Sequence, residues 1–125
     1  MRPRDVRVYL HDVVTAAVAI RSFINGRSAA DYRGDLLLRS AVERQFEILG
    51  EALSRALRAA PDVAASIPAV RGAIDFRNVI AHEYDALSPA TVWDIARNEL
   101  PALAEQVADE LARRDAAEGG EAPSR

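Results

Sequence analysis

The sequence predicts an all-α fold, a bundle of four to five helices built around one long helical hairpin. Three observations predict it. Apolar side chains recur at spacings of three and four through four separate segments, the period of helices that each bury one face. No segment alternates apolar and polar residues as a half-buried strand does. Breaks at Asn25-Gly26, Gly34-Asp35, Pro61, Pro68 and Ser88-Pro89 separate the periodic segments.

The first helix is expected from about Asp5 to Phe23, with Val6, Leu10, Val13, Ala17, Ile20 and Ile24 on one stripe. Gly26 ends it by taking the left-handed conformation. A polar connector containing Ala29, Ala30 and Tyr32 leads to Asp35, a good N-cap. The second helix then runs to about Ala59 with Val42, Phe46, Leu49, Leu53 and Leu57 on one stripe. Gly50 in its middle costs about 1 kcal/mol relative to Ala and so points to close approach of another helix. A short turn fits residues 62–66, and Pro68 suits the first position of a third helix whose inward face carries Val70, Ile74 and Ala81. Ser88-Pro89 restarts the chain as a fourth helix, with Val92, Ile95, Leu100, Leu103, Val107 and Leu111 inward and a bend expected at Pro101. Periodicity ends near Ala116. The expected organisation is one helical domain over residues 1–115 and a disordered tail over 116–125.

Composition narrows the function. A chain of 125 residues has room for one core. Without cysteine it has no disulfide, no zinc–thiolate site and no thiol nucleophile. The longest apolar run, Val13 to Ile20, is far too short to span a bilayer, so a soluble, cytoplasmic protein is expected. The net charge of −3, with every basic side chain an arginine, argues against a broad basic face. Any contact with nucleic acid would have to be local, through a few arginines in a cleft.

Two histidines limit the search for chemistry. His11, beside Asp12 on the first helix, reads as a surface residue. His82 stands in the segment from Asp75 to Asp85, where seven of eleven side chains are polar or ionisable. Asn78 lies one turn before it on the same side of the helix, and Arg77 is roughly 140° away around the axis. Arg77 can reach across if the helix ends near His82, which leaves Tyr84 in the exit turn. A simpler account is that His82 answers the helix dipole while Arg77 pairs with Asp75 or Glu83. The acidic stripe Glu43, Glu47 and Glu51 is a second candidate, for a metal, but Arg39, Arg44 and Arg55 stand within a turn and pair with it more naturally.

At these residues the chain resembles a known family. Arg77-Asn78-x-x-x-His82-x-Tyr84 is similar to the Arg-x4-His-x-Tyr motif of HEPN domains, and the segment from Ala41 to Ala52 resembles the second-helix signature of their HepT-like branch. The resemblance covers residues from about 5 to 112. One departure is Ala69 after Pro68, where relatives usually carry Trp; it bears on local packing. The resemblance implies an all-α homodimer, or a higher oligomer, in which two motifs face each other across a cleft. It implies metal-independent ribonuclease activity without a cofactor, with Arg77 and His82 catalytic and Asn78 and Tyr84 supporting or phosphate-binding. It also implies the toxin half of a toxin–antitoxin pair, silenced when a minimal nucleotidyltransferase antitoxin attaches AMP to Tyr84. An alternative within the same resemblance is a non-catalytic nucleotide-binding or docking module for that nucleotidyltransferase.

The chemistry suits these residue types. Imidazole, with an unperturbed pKa near 6.5, can act as base or acid at neutral pH. One histidine per chain cannot easily do both at once, whereas two His82 side chains across a twofold axis can. Arg77 offers a planar fork of donors to phosphate oxygens, Asn78 can orient His82 or bind phosphate, and Tyr84 offers a ring for base stacking.

Overall fold

The computed structural model describes residues 5–82 and 87–121. Helix α1 spans Val6–Ile24, α2 Ala29–Arg33, α3 Leu36–Ala59, α4 Val63–Ser66, α5 Val70–His82, α6 Pro89–Asp94 and α7 Leu100–Glu121, with a π-helical turn at Ile95–Glu99 joining α6 to α7. All regular structure among the described residues is helical, as the periodicity predicts.

Local chemistry sets the helix starts. The Asp5 carboxylate accepts from the Arg7 amide at 2.9 Å, and that of Asp35 accepts from the Leu38 amide at 3.0 Å; each satisfies an N–H that has no partner within the helix. Gly26, at φ 76°, turns the chain after α1. The connector read as irregular contains α2 instead. Ser28 and Asp31 form a reciprocal capping box, and Tyr32 is its one buried residue.

The two long helices α1 and α3 pack along each other as the expected hairpin; α7 lies against α1, and α5 packs principally on α3. The core between them is aliphatic. Leu10, Val13, Ile20, Val42, Leu53 and Val107 are fully buried, each contributing roughly 1.5–3 kcal/mol. Tyr32 meets Trp93 of α6 with ring centroids 5.6 Å apart, and the Arg97 guanidinium lies 5.7 Å from the Trp93 ring.

Four expectations about α5 and the C-terminal helices are corrected. Helix α5 begins at Val70, with Pro68 in the turn before it. It buries Val70 and Ile80, while Ala81 is exposed. Instead of a simple bend at Pro101, the chain widens into the π turn just upstream, where the Leu100 amide bonds to the Ile95 carbonyl; the disturbance is absorbed before the proline ring, which crowds the preceding turn. The helix also persists to Glu121 rather than ending near Ala116, because Ala116, Ala117 and Glu118 favour helix without needing apolar contacts. The departure at Ala69 has a visible counterpart. With Pro68 it lines an apolar cleft of about 320 Å³ that α5 shares with α3 and α7.

No helix of the described residues is long and apolar enough to cross a membrane.

Candidate functional site

Helix α5 carries the site. Arg77 and His82 lie five residues apart, about 7.5 Å along the axis, and His82 is the helix's last residue, exposed. Tyr84 and Glu83 lie outside the described residues.

Arg77 is held on both sides. Its Nη2 donates to Oε1 of Glu51 at 3.0 Å, and its Nη1 donates to Oδ1 of Asn78 at 2.9 Å. Neither Asp75 nor His82 is its partner. Two of the five guanidinium N–H donors are thereby used among the described residues. Asn78 thus orients Arg77, where the sequence pointed to His82 or phosphate; its amide N–H groups keep the second of those roles open.

Glu51 also accepts from Nε of Arg55 at 2.9 Å. That bond, with the charge of Arg77 behind it, holds the Glu51 carboxyl below the ordinary carboxylate range. Gly50 explains how α5 comes near enough. A Cβ built on Gly50 would stand 2.3 Å from the Arg77 Cβ and 3.2 Å from the Ala73 carbonyl oxygen. Only a residue without a side chain lets the two backbones meet where Arg77 leaves its helix. The close approach read from Gly50 is therefore real, and its target is the candidate catalytic arginine.

The rest of the acidic stripe divides. Glu47 lies 3.8 Å from Arg44. Glu43 is partly buried, and that burial pushes its carboxyl up, while Arg39 turns away to the Arg33 carbonyl. Among the described residues, no three carboxylate or imidazole side chains converge as metal ligands.

Arg77 opens onto a groove of about 270 Å³ walled by Tyr9 and Asp12 of α1 and by Arg44, Glu47 and Arg55 of α3. His82 is not in its wall. Neither this groove nor Glu51 as partner to Arg77 is directly visible in the sequence. The available signal was Gly50: the residue beside a forced helix contact necessarily borders the approaching helix. His11, as expected, is exposed on α1.

Comparison with known proteins agrees with the family resemblance. The chain is 28% identical over 109 residues to a protein of Methanocaldococcus jannaschii named "Putative RNase MJ1380", covering 86% of this chain and 97% of that one. It is 28% identical over 103 residues to "Putative RNase MJ0127" of the same organism, covering 81% and 83% of the two chains. With "Putative RNase TTE0752" of Caldanaerobacter subterraneus subsp. tengcongensis it shares 26% identity over 105 residues, 84% and 93% of the two chains. No solved structure matches it significantly. A profile described as ribonuclease HepT-like matches residues 14–109, most of the helical body and the whole of α5; the chain belongs to the ribonuclease HepT-like family.

Proposed function

We propose that this chain is a metal-independent endoribonuclease, the toxin of a toxin–antitoxin pair, whose working site is assembled from two copies. The observation that carries this reading is the division of labour along α5. Arg77 is fixed by Glu51 and Asn78 beside a groove, while His82 stands exposed at the helix end, outside that groove's wall. One copy therefore offers half-sites, and a second copy placed with its α5 opposite would supply the missing imidazole.

In the proposed reaction one His82 takes the proton of a ribose 2′-hydroxyl, and the freed oxygen attacks the adjacent phosphorus. The other His82 gives its proton to the departing 5′-oxygen. The products are a 2′,3′-cyclic phosphate and a 5′-hydroxyl. The remaining donors of each Arg77 neutralise the crowded phosphate in the transition state. AMP attached to Tyr84 by a minimal nucleotidyltransferase would set a bulky anion two residues from His82 and repel the RNA backbone, which is a physical basis for silencing.

The test is cleavage of single-stranded RNA by the purified protein in EDTA, with the product ends identified. Loss of cleavage is expected in His82→Ala and in Arg77→Ala. Mixing His82→Ala with wild-type chains should lower activity by more than dilution, because each heterodimer keeps only one of the two imidazoles the reaction uses. A folded His82→Ala that cuts at the wild-type rate overturns the proposal. A mass gain of AMP on Tyr84 from the partner nucleotidyltransferase, in a protein that never cleaves RNA, favours the docking-module alternative.

A further inference from the structure

The groove beside Arg77 has a composition that phosphate binding alone does not explain. Its wall includes an aromatic ring, Tyr9, and an apolar side chain, Ile48, in addition to its arginines. Tyr9 is half-buried against the core and so holds a set position. The carboxylates around the groove differ in availability. Glu51 is occupied by Arg55 and Arg77, and Glu47 is loosely opposite Arg44. Asp12 is exposed and has no ion pair among the described residues. An aromatic ring held by packing, an apolar wall and a carboxylate that none of the groove's arginines pairs with together suit a flat heterocycle carrying N–H donors.

We infer that this groove is a base subsite for the nucleotide next to the scissile phosphate, and that Asp12 makes it select guanine. The inference rests on the ribonuclease reading for its place in the reaction. Arg77 ties the two together: it borders the groove and, in that reading, holds the phosphate, so the neighbouring base falls within reach. The base stacks on Tyr9, as unpaired bases do on aromatic side chains. Guanine presents two adjacent donors, N1–H and the 2-amino group, on its Watson–Crick edge, matching the two oxygens of a carboxylate. Uracil presents one N–H between two carbonyl oxygens, which a carboxylate repels. Arg44 and Arg55, across the groove, favour the backbone that continues past the base.

Two measurements on the full-length protein test this. In the first, wild type, Asp12→Asn, Tyr9→Ala and Tyr9→Phe cut a randomised single-stranded RNA and the cut sites are sequenced. Wild type is expected to favour guanine over uracil at one position flanking the cut by about tenfold or more. In Asp12→Asn that ratio should fall to near one. Tyr9→Ala should raise KM about tenfold for all bases, and Tyr9→Phe should restore it. In the second, binding of guanosine 5′-monophosphate and uridine 5′-monophosphate is measured directly, and Asp12→Asn should abolish the difference between them. Selective binding without any cleavage would defeat the ribonuclease reading and keep the subsite. Cleavage with no base preference, equal binding of the two nucleotides, or a preference unchanged in Asp12→Asn would overturn the subsite and leave the ribonuclease reading standing.

Discussion

Glu51 on α3 and Arg77 on α5, 26 positions apart in sequence, are joined by a hydrogen-bonded ion pair of 3.0 Å. A carboxylate beside an arginine proposed to bind phosphate would defeat that role if it neutralised the site. It does not, because Glu51 is shared with Arg55 and feels Arg58 as well as Arg77, so three guanidinium groups stand around this one carboxylate. The pair sets where the guanidinium stands.

Removing that restraint should loosen the arginine and leave the fold intact. Glu51→Ala is expected to lower RNA cleavage by about ten- to a hundredfold, the scale on which misplaced catalytic groups lose rate. The melting temperature should be close to that of wild type, since a half-exposed ion pair adds little stability. Glu51→Gln, which keeps an acceptor at the same place, should recover part of the activity. Steady-state kinetics alongside thermal melts separate the two effects.

Two glycines should respond oppositely to the same change. At Gly50 the added methyl meets Arg77 and the Ala73 carbonyl, so an overpacking cost of about 1–3 kcal/mol outweighs the roughly 1 kcal/mol gained in helix propensity. Gly50→Ala is expected to melt lower and to lose cleavage, because the contact it pushes apart positions the arginine. At Gly72 the new Cβ meets nothing within 4 Å, and Gly72→Ala should be stabilised by about 0.4–1 kcal/mol. Denaturant titrations of both variants give the comparison.

Tyr32 is fully buried, and its hydroxyl has no hydrogen-bond partner among the described residues. Burial pushes its ionisation well above the usual phenol range. Tyr32→Phe keeps the ring beside Trp93 and removes an unsatisfied polar atom, so it should be neutral or stabilising by about 1 kcal/mol. A destabilisation of that size or more in urea would contradict the geometry.

Glu110 links α7 to α4. It is buried and accepts from Arg113 at 2.7 Å and from Arg114 at 2.5 Å, and Arg114 continues to Asp62 at 2.7 Å. Burial alone would push the Glu110 carboxyl up, but the two arginine bonds outweigh it and hold it below its ordinary value of 4.5. A carboxylate depressed on folding contributes stability above its unfolded-state value and loses it as pH falls through the folded-state value. Glu110→Gln should therefore melt below wild type at pH 7, and the gap should close as pH is lowered from 4.5. Thermal melts across pH 2–7 read this directly.

The long helices were legible because their signals are local and repeated. The apolar stripe and the Asp35 cap mark α3 within a residue of its observed ends. Helix α2 was missed because five residues with one buried tyrosine carry no period to detect, although Ser28 and Asp31 already spelled its capping box. On α5 the inward face drifted from Ala81 to Ile80 because that helix is partly exposed and its pattern correspondingly weak. The motif itself, Arg77 to His82, was readable from residue types and spacing. Its supports were harder. Local reasoning offered Asp75 and Glu83 as partners for Arg77, whereas the observed one is brought in by tertiary contact and foreshadowed only by Gly50.

Helix α5 leans on α3, buries Val70 and Ile80, and packs Ala73, Ile74 and Phe76 part-buried against the core. With fewer buried side chains than α1 or α3, it is a natural unit of local opening, and its backbone amides should exchange with deuterium sooner than those in the middle of α1 or α3. Anything that grips its exposed side, whether a second protomer or an RNA strand, would slow that exchange in proportion to how tightly it binds. The amides of residues 76 to 82 thus form a built-in gauge of assembly, readable without any measure of catalysis.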